Sequence, residues 1–314
     1  VSAAEAGRPA VQPSPSAGSA PDSTMTLGAV VLTMGNRPAE LRALLDSVAA
    51  QVGPRVEVVV VGNGAPLPEL PDGIRTVELP ENLGIPAGRN VGIEAFGPNG
   101  QEVDALLFLD DDGLLPRTDT AALIREAFAA DPGLGIITFR IADPDTGVTQ
   151  RRHVPRLRAS DPMRSSRVTT FLGGANAVRT AVIAEVGGLP GEFFYAHEET
   201  DLAWRALDAG WSIDYRSDMV LHHPTTEPSR HAVYHRMVAR NRVWLARRNL
   251  PWLLVPAYLS TWIVLTLVRR PPRQALAAWF GGFWEGWRTP CGARRPMRWR
   301  TVWRLTRLGR PPII

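Results

Sequence analysis

From residue 27 onward the chain alternates short, nearly continuous apolar runs with segments whose apolar positions recur at helical spacing. Residues 27–34, 56–61, 75–79 and 105–109 predict strands. Residues 38–51, with Leu41, Leu44, Leu45 and Val48 on one face, and residues 86–96 predict helices. Runs that are apolar throughout, rather than at every second position, mean strands buried on both faces. That is the mark of a mostly parallel sheet with helices packed on either side, an α/β fold. The second half reads less regularly: a helix at 119–130, a strand at 135–141 and a polar stretch to residue 167. Segments 171–176, 193–210 and 212–223 follow, then a long arginine-rich helix after Ser229. In open sheets of this kind ligands bind beyond the carboxyl ends of the strands. Thr33, Asn63 and Asp110 stand at such ends, which points to a nucleotide site.

Composition changes this picture at the two ends of the chain. At 314 residues there is room for one large α/β domain and an appendage, and 45% apolar residues suit an ordinary globular protein. The single cysteine, Cys291, excludes an intramolecular disulfide and cysteine-based zinc cages. Residues 1–24 are mostly Ala, Pro, Ser and Gly; they are expected to be a disordered leader, with Met25 a candidate start. The basic residues are all arginine, and from Arg240 to the end fifteen of them face one acid, Glu285. The net charge of +4 therefore hides an acidic body and a strongly basic tail.

Three clusters carry candidate chemistry. Asp110-Asp111-Asp112 follows the apolar run 105–109; three adjacent carboxylates repel one another, and a hard divalent cation such as Mg²⁺ or Mn²⁺ relieves that repulsion. A solvated acidic turn is the plain alternative. In Asn82-Leu-Gly-Ile-Pro-Ala-Gly-Arg-Asn-Val-Gly92, glycines including Gly84 permit close backbone approach, and Arg89 offers a planar fork for phosphate or ribose beside a helix N-terminus. The plain alternative is a loop and helix start. In Ala196-His-Glu-Glu-Thr-Asp-Leu-Ala-Trp-Arg205, Glu198, Glu199 and Asp201 crowd one helix start, where acids are favoured without any function. A carboxylate beside a second acid is also suited to general-base work. His222-His223 closes the series.

These motifs in this order, over about residues 28–225, resemble the family 2 glycosyltransferases of the GT-A fold, in particular bacterial rhamnosyl- and galactofuranosyl-transferase-like enzymes. The resemblance implies a catalytic domain at 25–228 and a helical, Arg/Trp-rich region at 229–314. It implies that Thr33, Asn63, Asn82, Gly84, Arg89, Asn90, Asp110 and Asp111 bind the nucleotide of a UDP- or dTDP-sugar. Asp112 and His222, with His223 the alternative, would hold Mg²⁺ or Mn²⁺. Glu199, or else Glu198, would be the catalytic base of an inverting displacement. Gly173, Gly174, Asn176, Asp201, Trp204 and Arg205 would shape the donor-sugar and acceptor pocket. Two departures stand out: Gly62-Asn63 occupies the strand end where the family usually has a base-reading Asp, and Glu-Glu replaces the commoner Glu-Asp.

Residues 250–268 are uncharged and long enough for a membrane span, but Pro251 and Pro256 interrupt them. The tryptophans and arginines that follow suit attachment to an anionic bilayer interface, alongside the plainer reading of ordinary helices. The expectation is a protein at the cytoplasmic, inner face of the cell membrane that glycosylates a glycan, lipid-linked or small-molecule acceptor, in cell-envelope glycan or other glycoconjugate synthesis. Three rivals fare worse. A sugar-phosphate nucleotidylyltransferase would want a lysine-containing phosphate loop, a dehydrogenase a G-x-G-x-x-G after the first strand. A nucleic-acid binder would want a recognisable motif, so nucleic acid is not expected as a partner.

Overall fold

The computed structural model describes residues 25–157, 161–224 and 232–314. The expected leader at 1–24, the 228/229 domain boundary and the expected helix start at Ser229 lie outside the described residues. In chain order the elements are β1 (Leu27–Thr33), α1 (Pro38–Ala49), β2 (Val56–Asn63), β3 (Arg75–Leu79), α2 (Ile85–Glu94), β4 (Ala105–Asp110), α3 (Thr120–Ala130) and β5 (Leu134–Ala142). Then come β6 (Ser166–Arg167), β7 (Ala175–Arg179), α4 (Thr180–Val186), α5 (Glu198–Ala209) and β8 (Ser212–His222). The tail adds α6 (Ala232–Asn249), α7 (Val255–Val268), α8 (Arg273–Arg288) and α9 (Trp299–Arg307).

One sheet runs β3-β2-β1-β4-β7-β5-β8-β6. The pairs among β1, β2, β3 and β4 and the pair β5–β8 are parallel, while β7 is antiparallel to both its neighbours. The two faces follow the period of two along each strand. Val30, Val59, Val61, Leu106 and Phe108 enter the core covered by α2, α4, α5 and the tail helices. Ala29, Val31, Val60, Leu107 and Leu109 enter the core covered by α1 and α3. Leu41, Leu44, Leu45 and Val48 of α1 are all buried, as the helical spacing required.

The tail is part of this body rather than a separate arm. Val243, Trp244, Leu245, Leu250, Val255 and Tyr258 share one hydrophobic core with Phe193, Leu202, Trp204 and Leu207. The long uncharged run at 250–268 breaks into a 3-10 turn at Trp252–Leu254 and the 14-residue α7. At about 1.5 Å per residue, α7 falls short of a hydrocarbon core about 30 Å thick. Among the described residues no helix is long and apolar enough to cross a membrane.

α6 and α8 pack closely because α8 turns Gly282 and Gly286 toward α6. A Cβ at Gly282 would run into the Arg236 carbonyl, whereas one at Gly281 would meet open space. We therefore expect Gly282→Ala to lower the unfolding free energy by about 1–3 kcal/mol. Gly281→Ala, on the exposed side of the same helix, should raise it by about 0.5–1 kcal/mol. Chemical denaturation of the two variants reads both signs.

Candidate active site

At the carboxyl ends of β1, β2 and β4 lies a cavity of about 530 Å³, a size that suits a nucleoside diphosphate. Thr33, Asn63, Asn82, Gly84, Arg89, Asp110, Asp111 and Asp112 all line it. The sheet brings them together. In register, Thr33 stands opposite Gly62 and Leu32 opposite Asp110, so three strands deliver their last residues to one edge.

The acid trio is held by specific partners. Thr33 Oγ1 donates to Asp111 Oδ2 at 2.7 Å. Arg37, just ahead of α1, donates to Asp112 Oδ2 at 2.5 Å and reaches Asp111 Oδ1 at 3.4 Å. Burial raises the Asp111 carboxyl above the usual range, more than Thr33 and Arg37 lower it. Burial pushes Asp112 upward as well, but His223 and Arg37 overcome it and hold this carboxyl low. His223 Nε2 lies 3.1 Å from Asp112 Oδ1, and that contact raises the His223 pKa. His222 is not at this site. Neighbouring strand residues point to opposite sides, and His222 lies near Arg140 and Asp143 instead. The histidine beside Asp112 is thus His223, a correction to the first choice.

Asn63 builds the wall of the cavity. Its Nδ2 donates to Asn82 Oδ1 at 2.9 Å and to the Gly84 carbonyl at 3.3 Å, and its Oδ1 accepts from the Leu83 N–H at 2.9 Å. Asn90 faces away: it bonds both backbone groups of Leu189, at 2.8 and 2.9 Å, and ties α2 to the segment after α4. Arg89 is buried, and its Nη2 donates to Asp110 Oδ1 at 2.9 Å.

Gly173-Gly174 explains itself by what touches it. A Cβ on Gly174 would overlap the Asp110 carboxylate. One on Gly173 would overlap Glu199 Oε1 and sit 3.0 Å from Arg89 Nη1. Arg89, Asp110 and Glu199 therefore meet at this turn. Fully buried Asn176 pins it by donating to the Leu172 and Gly173 carbonyls at 2.7 and 2.8 Å.

Glu198 and Glu199 open α5. Burial, then the charge of Glu199, push the Glu198 carboxyl up to about 8. Burial also raises Glu199, while Arg89 and a hydrogen bond from Glu198 restrain the rise. Burial thus favours the protonated form of Glu198 at neutral pH. The preceding loop is strained: Phe194, Ala196 and His197 have φ of 63°, 73° and 74°. Asn241 on α6 secures it. Fully buried, its Nδ2 donates to the carbonyls of Phe193, Tyr195 and Ala196 at 2.9, 2.7 and 2.9 Å. Neither Asn241 nor Arg37 was among the candidates. An isolated Asn in an arginine-rich helix and an Arg in a turn carry no sequence signal of such roles.

Asp201, Trp204 and Arg205 do not reach the cavity. Asp201 is fully buried and accepts from Arg205 Nε at 2.8 Å, Arg248 Nε at 2.9 Å and Asn249 Nδ2 at 2.7 Å. Trp204 packs edge-on against Tyr258 of α7, with ring centroids 6.1 Å apart. Arg205 also binds the carbonyls after α4. Asp201 and Trp204 dock the tail onto α5, and Arg205 ties α5 to the segment after α4.

Among the described residues no group of three or more His, Cys, Asp and Glu stands ready to hold a metal. Asp112 and His223 offer one carboxylate and one imidazole at the cavity edge. That set suits a hard cation taking its remaining ligands from phosphate oxygens and water.

The sheet gathers its polar residues at one edge, with a carboxylate pair beside them. Residues 29–187 match the sequence profile of glycosyl transferase family 2, and the chain belongs to that family. It is 26% identical over 273 residues to the pre-mycofactocin glycosyltransferase of Mycobacterium tuberculosis, in two strains; the match covers 82% of this chain and 51% of the relative. The chain thus spans about half the length of the curated relatives it matches. Its fold is GT-A, shared with GalNAc-T7 solved with UDP, GalNAc and Mn²⁺ (TM-score 0.59, 13% identity, 76% of this chain and 50% of that one). It is shared too with the mannosyltransferase PcManGT from Pyrobaculum calidifontis, solved with GDP-Man and Mn²⁺ (TM-score 0.52, 18% identity, 92% and 86%). S. aureus TarS with UDP is a third such structure (TM-score 0.54, 18% identity, 83% and 81%).

Removing the Asp201 carboxylate strands two guanidinium groups in the α5–tail interface. Asp201→Ala should cost about 3–5 kcal/mol of stability, read by denaturant titration, while leaving the KM for donor unchanged in the protein that remains folded.

Proposed function

We propose that this glycosyltransferase is an inverting enzyme that moves a sugar from a nucleoside-diphosphate donor, seated in the 530 Å³ cavity, to a hydroxyl acceptor, with Glu199 as base. The observation that carries this reading is the meeting of Glu199, Arg89 and Asp110 at the Gly173-Gly174 turn, beside that cavity. Glu199 would take the acceptor proton as its oxygen attacks the anomeric carbon. Glu198, whose carboxyl is pushed up to about 8 by burial and the Glu199 charge, would stay neutral beside the base and leave the negative charge to Glu199. Arg89 is aligned by Asp110, and its charge favours the ionised base and the leaving diphosphate. Arg37 supplies a second cation at the mouth. Asp112 and His223 would hold Mg²⁺ or Mn²⁺, which when bound neutralises diphosphate charge. The donor is a UDP- or dTDP-sugar in this reading. Glu-Glu in place of Glu-Asp puts the base one methylene further out, which the glycine turn accommodates.

The reading extends to a peripheral contact with an anionic membrane, at the cytoplasmic face, for cell-envelope glycan synthesis. Its support is the exposure of Leu253, Val264, Leu267 and Val268 at and beyond the start of α7, and of Phe280, Trp284 and Trp287 along one side of α8. Arginines flank both helices. A lipid-linked or small-molecule glycan acceptor fits this placement.

Two measurements check the chemistry. In a calorimetric screen of UDP, dTDP and GDP with and without Mn²⁺, one nucleotide should bind in a metal-dependent way and Asp112→Ala should abolish that binding; no binding to the wild-type protein would overturn the donor site.

Glu199→Gln should lower kcat by about a hundred- to ten-thousandfold. Activity should fall on the acid side as Glu199 protonates, at a pH above the ordinary glutamate range because its pKa is raised. It should fall again near pH 8 as Glu198 ionises, and Glu198→Gln should keep the acid limb and erase the alkaline one. An alkaline limb that persists in Glu198→Gln counts against this division of roles.

A further inference from the structure

A second cavity, of about 480 Å³, opens where β5 and β8 begin. Gly133 precedes β5, Ser212 opens β8, and Leu207 and Gly210 stand at the end of α5. β7 is antiparallel to both β4 and β5, so β5 runs the same way as β4, and β8 is parallel to β5. The starts of β5 and β8 therefore lie on the opposite edge of the sheet from the cavity at the carboxyl ends of β1, β2 and β4. Strands of six to nine residues, as β4 and β5 are, put about 20–30 Å between the two edges.

Four arginines, Arg167, Arg300, Arg304 and Arg307, line this second cavity, and no acid does. Three of them stand at i, i+4 and i+7 on α9 and form one stripe of that helix. The helix is seated by its other side. Thr301, Val302 and Leu305 are buried, and Asp208 of α5 accepts from the Arg298 N–H at 2.8 Å and from Thr301 Oγ1 at 2.5 Å. Arg304 is fixed as well: its Nη1 donates to the carbonyls of Leu207 and Gly210 at 3.1 and 3.2 Å. Arg167 is answered by Asp131 at 2.5 Å and Asp214 at 3.2 Å. Among the described residues, Arg300, Arg304 and Arg307 form no ion pair.

Like charges at this spacing repel along a helix, and nothing in the lining offsets them. Burial and then the charge of Arg167 lower the Arg304 pKa. A solvated stripe would stand on an open face, whereas this one walls a cavity whose other side is the backbone at the start of β5 and β8. Planar guanidinium forks aligned in this way ask for more than one negative charge and several acceptor oxygens. A phosphate ester or a diphosphate supplies both, and a single carboxylate does not. We propose that the α9 cavity is a second binding site, for a ligand carrying a phosphate ester or diphosphate, separate from the site of sugar transfer. An anionic lipid headgroup and a soluble phosphorylated molecule share that chemistry. Trp303, three residues from Arg300 and four from Arg307, borders the stripe, and both it and Trp299 are exposed. Indoles beside arginines suit the headgroup level of a bilayer.

Calorimetric titration of inorganic pyrophosphate into the full chain, in metal-free buffer of low ionic strength, tests the site. Pyrophosphate should bind the wild-type protein, and Arg300→Gln and Arg307→Gln should each weaken it about tenfold or more, the loss of a hydrogen bond to a charged group. Both side chains are exposed, so the variants should keep the wild-type melting temperature. An Arg37→Gln background removes pyrophosphate held at the first cavity, so failure of the donor reading and failure of the second site are read apart. Arg273→Gln, exposed on α8 and outside the cavity, should change nothing. No binding to the wild type, undiminished binding in the Arg300→Gln/Arg307→Gln double variant, or an equal loss in Arg273→Gln overturns the site. Flotation on phosphatidylcholine vesicles with and without phosphatidic acid separates the sources. Flotation that needs phosphatidic acid and is lost in the double variant assigns a lipid-borne phosphate. Arginine-dependent pyrophosphate binding without such flotation assigns a soluble phosphorylated ligand.

Discussion

Crowded negative charge is the constraint on which this molecule turns. Asp110, Asp111, Asp112, Glu198 and Glu199 are brought to one edge of the sheet, and burial raises three of them, Asp111, Glu198 and Glu199. Such a cluster stands only if cations and donors are fixed nearby. Arg89 comes from α2 and is held in place over Phe108 by its bond to Asp110. Arg37 comes from the turn before α1, and His223 from the residue just beyond β8. Each compensating group arrives on a different element, so the site exists only when the whole sheet and its covering helices are assembled.

Close approach is the second condition. Gly173 and Gly174 bring Glu199, Arg89 and Asp110 to within contact of one short turn, and Asn176 keeps that turn in shape. The loop before α5 carries three non-glycine residues at positive φ, a conformation that the surroundings must enforce. Asn241 does so from the tail. The start of α5, with Glu198 and Glu199, is therefore held in place by α6, which lies outside residues 29–187 that match the family profile.

The basic tail has a corresponding division of labour. Arg247 donates to the carbonyls of Gly286 and Thr289, and Arg294 to that of Leu250, where helix ends leave acceptors unpaired. Arg248 pairs with Asp201 and Arg236 with Glu285. Much of the charge that looks like a single electrostatic surface in the chain is consumed in holding helices together.

The alternation of buried strands and amphipathic helices through residue 142 was legible in the sequence, because burial on both faces of a parallel sheet leaves an unbroken apolar run. So was the polar edge of the sheet: Thr33, Asn63 and the acid trio lie at or just past ends that the strand pattern marks. The tertiary structure alone decided which polar residues face the cavity. Asn90, Asp201 and Arg205 share the composition of site residues, yet the directions of their helices aim them at carbonyls and arginines of neighbouring elements. His222 and His223 differ by one step along a strand, and only the pleat and register say which meets Asp112. Arg37 and Asn241 were invisible because a single arginine or asparagine acquires its role from partners dozens or hundreds of residues away. Local pattern encodes what a segment buries; what a polar side chain meets depends on chain segments that only folding brings together.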